Sequence, residues 1–577
     1  MDVQSNYVMI GNSQPFLDYQ TARSTQNKMK RSDFPEDFTF GAGTSCFQIE
    51  GAWNVGGKTK SIWDVFSMTK PGNIADGSNG CVAADQYNMF RDDVALIKKV
   101  GLDSYKFSIS WSRILPGGRL STGVSREGVR YYSDLIDALL AADIQPSITL
   151  FHWDVPQCLE DEYGGFLSRK IVKDFCEYAE VCFWEFGDRV KNWYTTNEAW
   201  SFSVQGYATG LFAPGRGRPQ EAITEKERQK RTRFQRSVNL PNCIIDAGNP
   251  GTEPYIVGHN LILSHAHAVD IYRRKFQESQ GGRIGMINCT FWYEPLTDSE
   301  EDRAAAAREL DFVLGWFVEP LVTGEYPESM INNVGERLPK FTPEEENLVK
   351  GSYDYLGINY YTTNYISNDT TTPTTDSYLT DARTIASSKY EDLILDIVID
   401  FITTNYPDSN FSHSCLVERN GVPIGAKAGS DWLYVVPWGI YKLLLEIKNR
   451  YNEPIIYITE NGMDDVNNKA LNVAQSLSDK MRIDYHNDHL YYIKQAIKQG
   501  VNVRGYYLWS MFDNFEWISG YTSRFGIIYV DFDDGVTSRY PKDSAIWWKN
   551  FLSKKATPLK KQTEDQYEEG RKRLRRS

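Results

Sequence analysis

The sequence predicts an α/β protein built as a single (β/α)8 barrel, and three observations favour this fold. Eight short apolar or aromatic segments, each bounded by Gly, Pro or polar residues, alternate with amphipathic segments along most of the 577 residues. Strands that are separated by helices pair in parallel, and a strand followed by a helix is the repeating unit of such a barrel. No G-x-G-x-x-G motif follows any of these strands, which argues against an open, doubly wound sheet.

The predicted strands are rich in β-branched and aromatic residues, and the segments between them have helical periodicity. In the first helix, Val94, Ile97 and Val100 share one face, and Gly101 is suited to end it. Strands are predicted over 38–41, 104–108, 146–151, 192–196, 283–287, 355–359, 454–459 and 503–508. Helices are predicted over 92–100, 129–142, 168–186, 257–276, 303–317, 438–451 and 484–498.

The remaining segments define the limits of the domain. Residues 1–33 are polar and irregular and predict a flexible leader, so we expect the barrel domain over 34–553. Residues 216–251 and 366–430 follow barrel strands and are predicted to be loops over one mouth, where barrels admit substrates. Residues 554–577 are charged and almost free of apolar side chains, which predicts a disordered tail.

Composition excludes several classes of protein. Apolar residues make up 41% and charged residues 24%, as in ordinary globular proteins. The net charge of −13 argues against nucleic-acid binding, including binding at an active site. No apolar run reaches the length of a membrane span, and the N-terminus lacks the pattern of a secretory signal. We therefore expect no membrane association and a location in the nucleus or cytoplasm.

Metal binding is also disfavoured. The eight cysteines include no C-x-x-C pair. His265 and His267 would point apart on a helix, and His486 and His489 share a face but have no evident third ligand. We therefore predict structural histidines and a protein that needs neither a metal nor another cofactor.

Two glutamates follow predicted strands at the barrel end that carries catalytic groups. Glu198 lies in TTNEAW after strand four, and Glu460 lies in YITENG after strand seven. Glycoside hydrolysis requires such a pair, because one carboxyl group protonates the leaving oxygen while the other acts at the anomeric carbon. This pairing predicts a glycosidase.

Seven motifs in a fixed order make the chain resemble glycoside hydrolase family 1, the retaining β-glucosidases. They are FGAGTSCFQIEGAWNVGGKTKSIWDVF, FSISWSRILPGG, FHWDVPQ, TTNEAW, GINYYT, ITENG and DNFEWISGYTSRFGIIYVDF. The similarity runs from about residue 34 to residue 551. It implies the barrel fold and cleavage of a β-D-glucoside, a small-molecule substrate, through a covalent glucosyl-enzyme.

The resemblance also implies a role for individual residues. Glu460 corresponds to the nucleophile and Glu198 to the acid/base, and these roles require opposite environments. Tyr361 corresponds to the hydrogen-bond donor to the nucleophile, and Asn197 to the residue that holds the sugar 2-hydroxyl. The other implied substrate residues are Gln48, His152, Asn359, Trp509, Glu516, Trp517 and Phe525.

A finer resemblance concerns the aglycone. GGRLSTGVSREGV, GYATGLFAPGRGR and AGSDWLYVVPWGI are similar to plant alkaloid glucosidases of the strictosidine and raucaffricine type. This implies an alkaloid or iridoid-derived aglycone that stacks on Trp432, in a site also lined by Ser430, Gln205 and Phe212.

One position departs from the family pattern, and two alternatives remain open. Ala199 stands where most members have Pro, which we expect to affect the rate more than the chemistry. A transglucosidase would use an alcohol in place of water. A non-hydrolytic glucoside-binding protein would share the fold, although the presence of both glutamates disfavours it. The sequence is also compatible with a homo-oligomer.

The tail gives a testable prediction about location. Lys560 and Lys561 form one basic cluster, a second runs from Arg571 to Arg576, and together they resemble a nuclear-import signal read by an import receptor. A fluorescent fusion of the full chain should accumulate in the nucleus. Changing the basic residues of 571–576 to Ala should spread it into the cytoplasm. Identical images of the two fusions would refute the import signal and leave a solvated tail.

Overall fold

The computed structural model describes residues 28–217, 243–371, 376–386, 418–419 and 421–553. Most of the predicted leader and the whole basic tail, with Lys560, Lys561 and the cluster from Arg571 to Arg576, lie outside the described residues. The central parts of the two predicted loops, 218–242 and 387–417, also lie outside them. All eight predicted strands fall within the described residues.

Eight parallel strands close into a barrel, so the predicted fold class is confirmed. Each strand pairs with the next along the chain. The last pairs with the first, where Thr39 lies opposite Gly505, and this pairing closes the barrel. The strands are β1 (Thr39–Gly43), β2 (Ser104–Ser108), β3 (Gln145–Phe151), β4 (Asn192–Asn197), β5 (Arg283–Pro295), β6 (Tyr355–Asn368), β7 (Ile456–Asn461) and β8 (Val503–Trp509).

A helix follows each strand and packs on the outside of the barrel. These helices are α1 (Gln86–Val100), α2 (Arg126–Ala141), α3 (Lys170–Phe186), α4 (Glu253–Tyr272), α5 (Glu300–Leu310), α6 (Pro437–Arg450), α7 (Lys480–Lys498) and α8 (Asp543–Leu552). In α1, Val94, Ile97 and Val100 are buried, and Gly101 ends the helix with φ 88°. The sequence did not predict α8, which is only ten residues long. The helices predicted over 257–276 and 303–317 are each interrupted by a π-helical turn.

Shorter helices and strands lie in the segments that connect the barrel strands and the long helices. The short helices are Cys46–Ile49, Ile62–Thr69, Trp111–Ile114, Gln157–Tyr163, Ala199–Tyr207, Glu278–Gln280, Trp316–Thr323, Glu328–Val334, Pro343–Val349, Tyr378–Asp381 and Val473–Ser476. Thr384–Ala386 adds an antiparallel strand to the extension of β6. Asp465–Val466 pairs with Ser523–Arg524, which joins the segments that follow β7 and β8.

The interior of the barrel is filled by aromatic side chains. Four tyrosines pack with Ile287 of β5 in an apolar cluster of their own, and they come from β4 (Tyr194) and from the neighbouring strands β6 (Tyr355), β7 (Tyr457) and β8 (Tyr507). A larger core lies between the strands and the surrounding helices. No helix in the described part of the chain is both long and apolar enough to cross a membrane.

The described structure begins before the predicted start of the domain at residue 34. Met29 is buried and its backbone N–H donates to Asn487 on α7 over 3.0 Å. Lys494 on the same helix donates to Asp33 over 2.7 Å. Residues 29–33 therefore pack against the barrel instead of forming part of a free leader.

Candidate active site

Glu460 lies at the end of β7, where two donors from other strands reach its carboxylate. The Lys106 ammonium group on β2 donates to Oε1 over 2.7 Å, and the Tyr361 hydroxyl on β6 donates to Oε2 over 2.7 Å. Lys106 and Glu460 are both buried, with 1% and 4% of their side chains exposed. A cation and a phenol are contacts that favour the charged form of a carboxylate.

Glu198 has a different set of partners. It follows β4 with φ 47°, a left-handed conformation that is uncommon for a residue with a side chain, and it precedes the helix Ala199–Tyr207. The Asn359 amide donates to Oε1 over 2.7 Å, and the Ser201 hydroxyl donates to Oε2 over 2.6 Å. Burial, followed by the negative charge of Glu460, raises the pKa of Glu198 to about 7. A carboxyl group with this pKa can give and take a proton near neutral pH.

Both glutamates line one cavity of about 440 Å³ at the mouth of the barrel. Most of the substrate residues predicted from the sequence line it too: His152, Asn197, Tyr361, Trp432, Trp509, Glu516, Trp517 and Phe525. Gln48 and Asn359 are completely buried behind this wall. Gln48 donates to Glu516 over 3.4 Å, and Asn359 donates to both Asn197 and Glu198. The structure thus brings all of the predicted residues together, and two of them, Gln48 and Asn359, lie behind the cavity wall in contact with residues that line it.

Polar side chains and aromatic rings alternate around the inner part of the cavity. The His152 ring lies nearly parallel to the rings of Trp509 and Trp517, with centroids 6.0 and 5.9 Å away. Burial and the charge of Lys106 lower the pKa of His152, so its ring is neutral and its Nε2 accepts from the Asn197 amide over 3.2 Å. This combination of hydrogen-bonding edges and flat apolar faces suits a sugar ring.

The outer part of the cavity is mainly aromatic. Trp432 is half-buried and lies edge to face with Tyr361 at 5.8 Å and with Phe291 at 6.4 Å. Ser430, Gln205 and Phe212 line the same cavity, as the sequence predicts. These rings form a wall that a bulky apolar group can contact.

The sequence did not predict several residues of the site, among them Phe291, Lys106, Ser201 and Asp464. Lys106 had a recognisable signal, because a lysine within a strand that is buried on both sides needs a carboxylate partner. Ser201 had a weaker one, since it lies one helical turn after Glu198. Asp464, which lines the cavity four residues after Glu460, gave no signal because its partners are distant in sequence.

The four histidines that were weighed as metal ligands are buried or half-buried, and three of them have hydrogen-bond partners within the protein. His265, His486 and His489 are buried, and each ring hydrogen-bonds through Nδ1 to Thr195, Tyr506 or the backbone of Tyr485. Desolvation lowers the pKa of His267, which is half-buried. Within the described ranges, no group of three or more His, Cys, Asp or Glu side chains is arranged to hold a metal ion.

Comparison with known proteins gives consistent matches across the chain. The model of the family described as Glycosyl hydrolase family 1 matches residues 30–557. An oleuropein β-glucosidase of Olea europaea is 58% identical over 585 residues, with 100% of both chains covered. A raucaffricine-O-β-D-glucosidase of Rauvolfia serpentina is 52% identical over 534 residues, covering 92% of this chain and 93% of that one. A rice β-glucosidase solved in a covalent complex with glucose has a TM-score of 0.80 and 44% identity, covering 91% of this chain and 100% of the other.

The electrostatic coupling of the two glutamates can be measured directly. In protein labelled with ¹³C at the glutamate carboxyl groups, the signals of Glu198 and Glu160 should both titrate near pH 7, and the one that disappears in Glu198→Gln belongs to Glu198. Replacing Glu460 with Gln removes a negative charge that raises the pKa of Glu198, so the titration of Glu198 should move to lower pH. A titration unchanged by Glu460→Gln would contradict the coupling.

Proposed function

Because this chain belongs to glycosyl hydrolase family 1 and is a β-glucosidase of the plant type, we propose that it hydrolyses the β-glucoside of a plant specialised metabolite with a bulky aglycone. The proposal rests on one observation: two glutamates line the same cavity, and their carboxyl groups have hydrogen-bond partners of different charge. Glu460 contacts a cation and a phenol, whereas Glu198 contacts an amide and a hydroxyl.

In the first step, Glu460 is the nucleophile and Glu198 is the acid. A carboxylate oxygen of Glu460 forms a bond to the anomeric carbon as the bond to the glycosidic oxygen breaks. The proton of Glu198 moves to that oxygen, and the aglycone leaves as an alcohol. The products are a glucosyl ester on Glu460 and a carboxylate on Glu198.

In the second step, Glu198 is the base. Its carboxylate takes a proton from a water molecule, whose oxygen attacks the anomeric carbon and displaces Glu460. Two displacements at the same carbon return the β configuration. Both glutamates end in their starting charge states, so the cycle needs no further acid, base or electron carrier.

The Lys106 ammonium group and the Tyr361 hydroxyl stabilise the charge of Glu460 before attack and when it leaves. Both donors are fixed by their strands, so little reorganisation is needed during the reaction. The Ser201 and Asn359 groups support Glu198 when it becomes a carboxylate. Their hydrogen bonds limit how far burial raises its pKa.

The glucosyl group is proposed to bind in the inner part of the cavity. His152 and Asn197 offer hydrogen bonds near Glu198, and Glu516 offers carboxylate oxygens to paired hydroxyls. The face of Trp509 supplies an apolar platform, and Phe525 forms part of the wall. Gln48 holds Glu516 in place from behind.

The aglycone is proposed to lie in the outer, aromatic part of the cavity against Trp432. The two plant relatives described above are named for oleuropein and for raucaffricine, and we propose these glucosides as the first substrates to test. The narrower proposal of an alkaloid glucoside rests on the second relative and on the sequence motifs shared with that group.

Covalent trapping tests the nucleophile. An activated 2-deoxy-2-fluoro-β-glucoside should add the mass of one fluoroglucosyl group to the peptide that bears Glu460, as measured by mass spectrometry of a digest. Glu460→Gln should lose turnover and labelling, because an amide cannot form the ester. Tyr361→Phe keeps the carboxylate and should still be labelled, at a lower rate. Label on any other residue would contradict the assignment.

Leaving-group dependence tests the acid. Glu198→Ala should lose activity by about 100-fold or more on a glucoside with a poor leaving group, because proton transfer is then essential. On 2,4-dinitrophenyl β-glucoside, which leaves without a proton, the first step should be much less affected. Equal losses in the first step for both substrates would mean that Glu198 does not supply the proton.

Truncation of Trp432 tests the aglycone wall. Trp432→Ala should raise KM about fivefold for a bulky aromatic glucoside, since stacking contributes about 1 kcal/mol. A small alkyl glucoside should change less than twofold. The matched control is Val466→Ala, which removes two methyl groups from another apolar side chain that lines the cavity. Equal losses with both substrates would make Trp432 a packing residue.

A further inference from the structure

A buried carboxylate joins three of the segments that surround the cavity. Asp464 is 1% exposed and forms no ion pair in the described part of the chain. Its side chain accepts instead from the Ser430 hydroxyl over 2.5 Å, the Ser430 backbone N–H over 3.1 Å and the Ser523 hydroxyl over 2.8 Å. A buried carboxylate without a cation needs such donors, so these contacts are strong restraints. We call Ser430, Asp464 and Ser523 the clasp.

The backbones of the three segments are also in direct contact. The Gly429 N–H donates to the Asp464 carbonyl oxygen over 3.1 Å. A Cβ added to Gly429 would lie 2.8 Å from the carbonyl carbon of Asp465, so only glycine permits this approach. Val466 pairs with Ser523 in a short antiparallel ladder. The clasp therefore fixes the segment after β6 on those that follow β7 and β8.

The clasp lies next to the rings that line the cavity. Trp432 follows Ser430 by two residues, and Phe525 follows Ser523 by two. These two rings pack with Tyr361 and Trp509 in an apolar cluster that is separate from the main core. Trp432 lies in the loop between two short paired strands, Ala426–Lys427 and Tyr434–Val435. Within this loop, the contacts of Ser430 with Asp464 tie the residues beside Trp432 to the segment after β7.

We propose that Asp464 is a positioning residue for aglycone selectivity. Through Ser430 it holds the Trp432 ring at the outer part of the cavity, and it thereby determines how tightly a bulky aglycone binds. Asp464 takes no part in the bond-making steps. This inference rests on the proposed role of Trp432 as the aglycone wall.

A second effect of Asp464 must be separated from the first. Its charge is, after burial, the largest cause of the raised pKa of Glu516. Changing Asp464 can therefore alter the binding of glucose itself. Glucose is common to all of the substrates, so this effect cancels in the ratio of KM values for a bulky and a small glucoside.

A double-mutant cycle tests the proposal. KM and kcat are measured for 4-methylumbelliferyl β-glucoside (bulky) and 2,2,2-trifluoroethyl β-glucoside (small) in wild type, Asp464→Asn, Trp432→Ala and the double variant. Asp464→Asn should raise the bulky-to-small KM ratio about tenfold, because hydrogen bonds to a charged group are lost. The kcat values should change less than twofold. In the Trp432→Ala background, Asp464→Asn should change the ratio less than twofold.

The control is Asp533→Asn, which removes an exposed ion pair with Lys469 and does not line the cavity. It should leave the ratio within twofold of wild type. If Asp464→Asn fails to fold, as judged by thermal unfolding, Ser430→Ala and Ser523→Ala each remove one donor and should raise the ratio about threefold.

The proposal would be overturned if the bulky-to-small KM ratio were unchanged in Asp464→Asn and in both serine variants. It would also be overturned if Asp464→Asn raised KM equally for the two substrates, or if it changed the ratio tenfold in the Trp432→Ala background as well. If instead Trp432→Ala has no effect on the ratio while wild type hydrolyses both substrates, the proposed aglycone wall is wrong and the inference falls with it. If wild type hydrolyses neither substrate, the proposed function fails.

Discussion

Two carboxyl groups share one buried cavity, and the protein surrounds them with different partners. In a poorly solvated interior, one negative charge makes a second one costly, so the donors that reach each carboxyl group matter. Glu460 receives hydrogen bonds from the Lys106 ammonium group and the Tyr361 phenol. Glu198 receives them from neutral groups, and its pKa is raised to about 7. The placement of one lysine thus distinguishes the two glutamates, and it supports the proposed roles of Glu460 as nucleophile and Glu198 as acid and base.

The ion pair of Lys106 with Glu460 depends on the closed barrel. Lys106 lies on β2 and Glu460 on β7, and β1 and β8 lie between these strands. The two side chains therefore meet in the barrel interior, from strands that are linked through the pairing of β8 with β1. Loss of either partner would leave an uncompensated buried charge, which costs more than the pair contributes. Fold closure and the charge pattern of the site are thus linked.

The sequence was sufficient to predict the barrel and the two glutamates, because both are encoded locally, whereas the other predicted substrate residues came from the resemblance to the family. Each strand is a short run with turn residues at its ends, and Glu198 and Glu460 lie in motifs that follow strands. The sequence was insufficient where the cause is a long-range contact. The partners of Asp464 are 34 and 59 residues away, and α8 depends on packing against α1 and α7 for its stability. The π-helical turns were missed because they change hydrogen bonding without changing the apolar pattern.

We propose that Glu198 and Glu460 catalyse two successive displacements at one carbon. The anomer of glucose that is released first reports this directly, and ¹H NMR resolves it if spectra are recorded before mutarotation. For a β-glucoside at high enzyme concentration, the account predicts that the β-anomer signal appears first and the α-anomer signal grows in later. Appearance of the α-anomer first would require a single displacement by water, and it would contradict the assignment of Glu460 as the nucleophile.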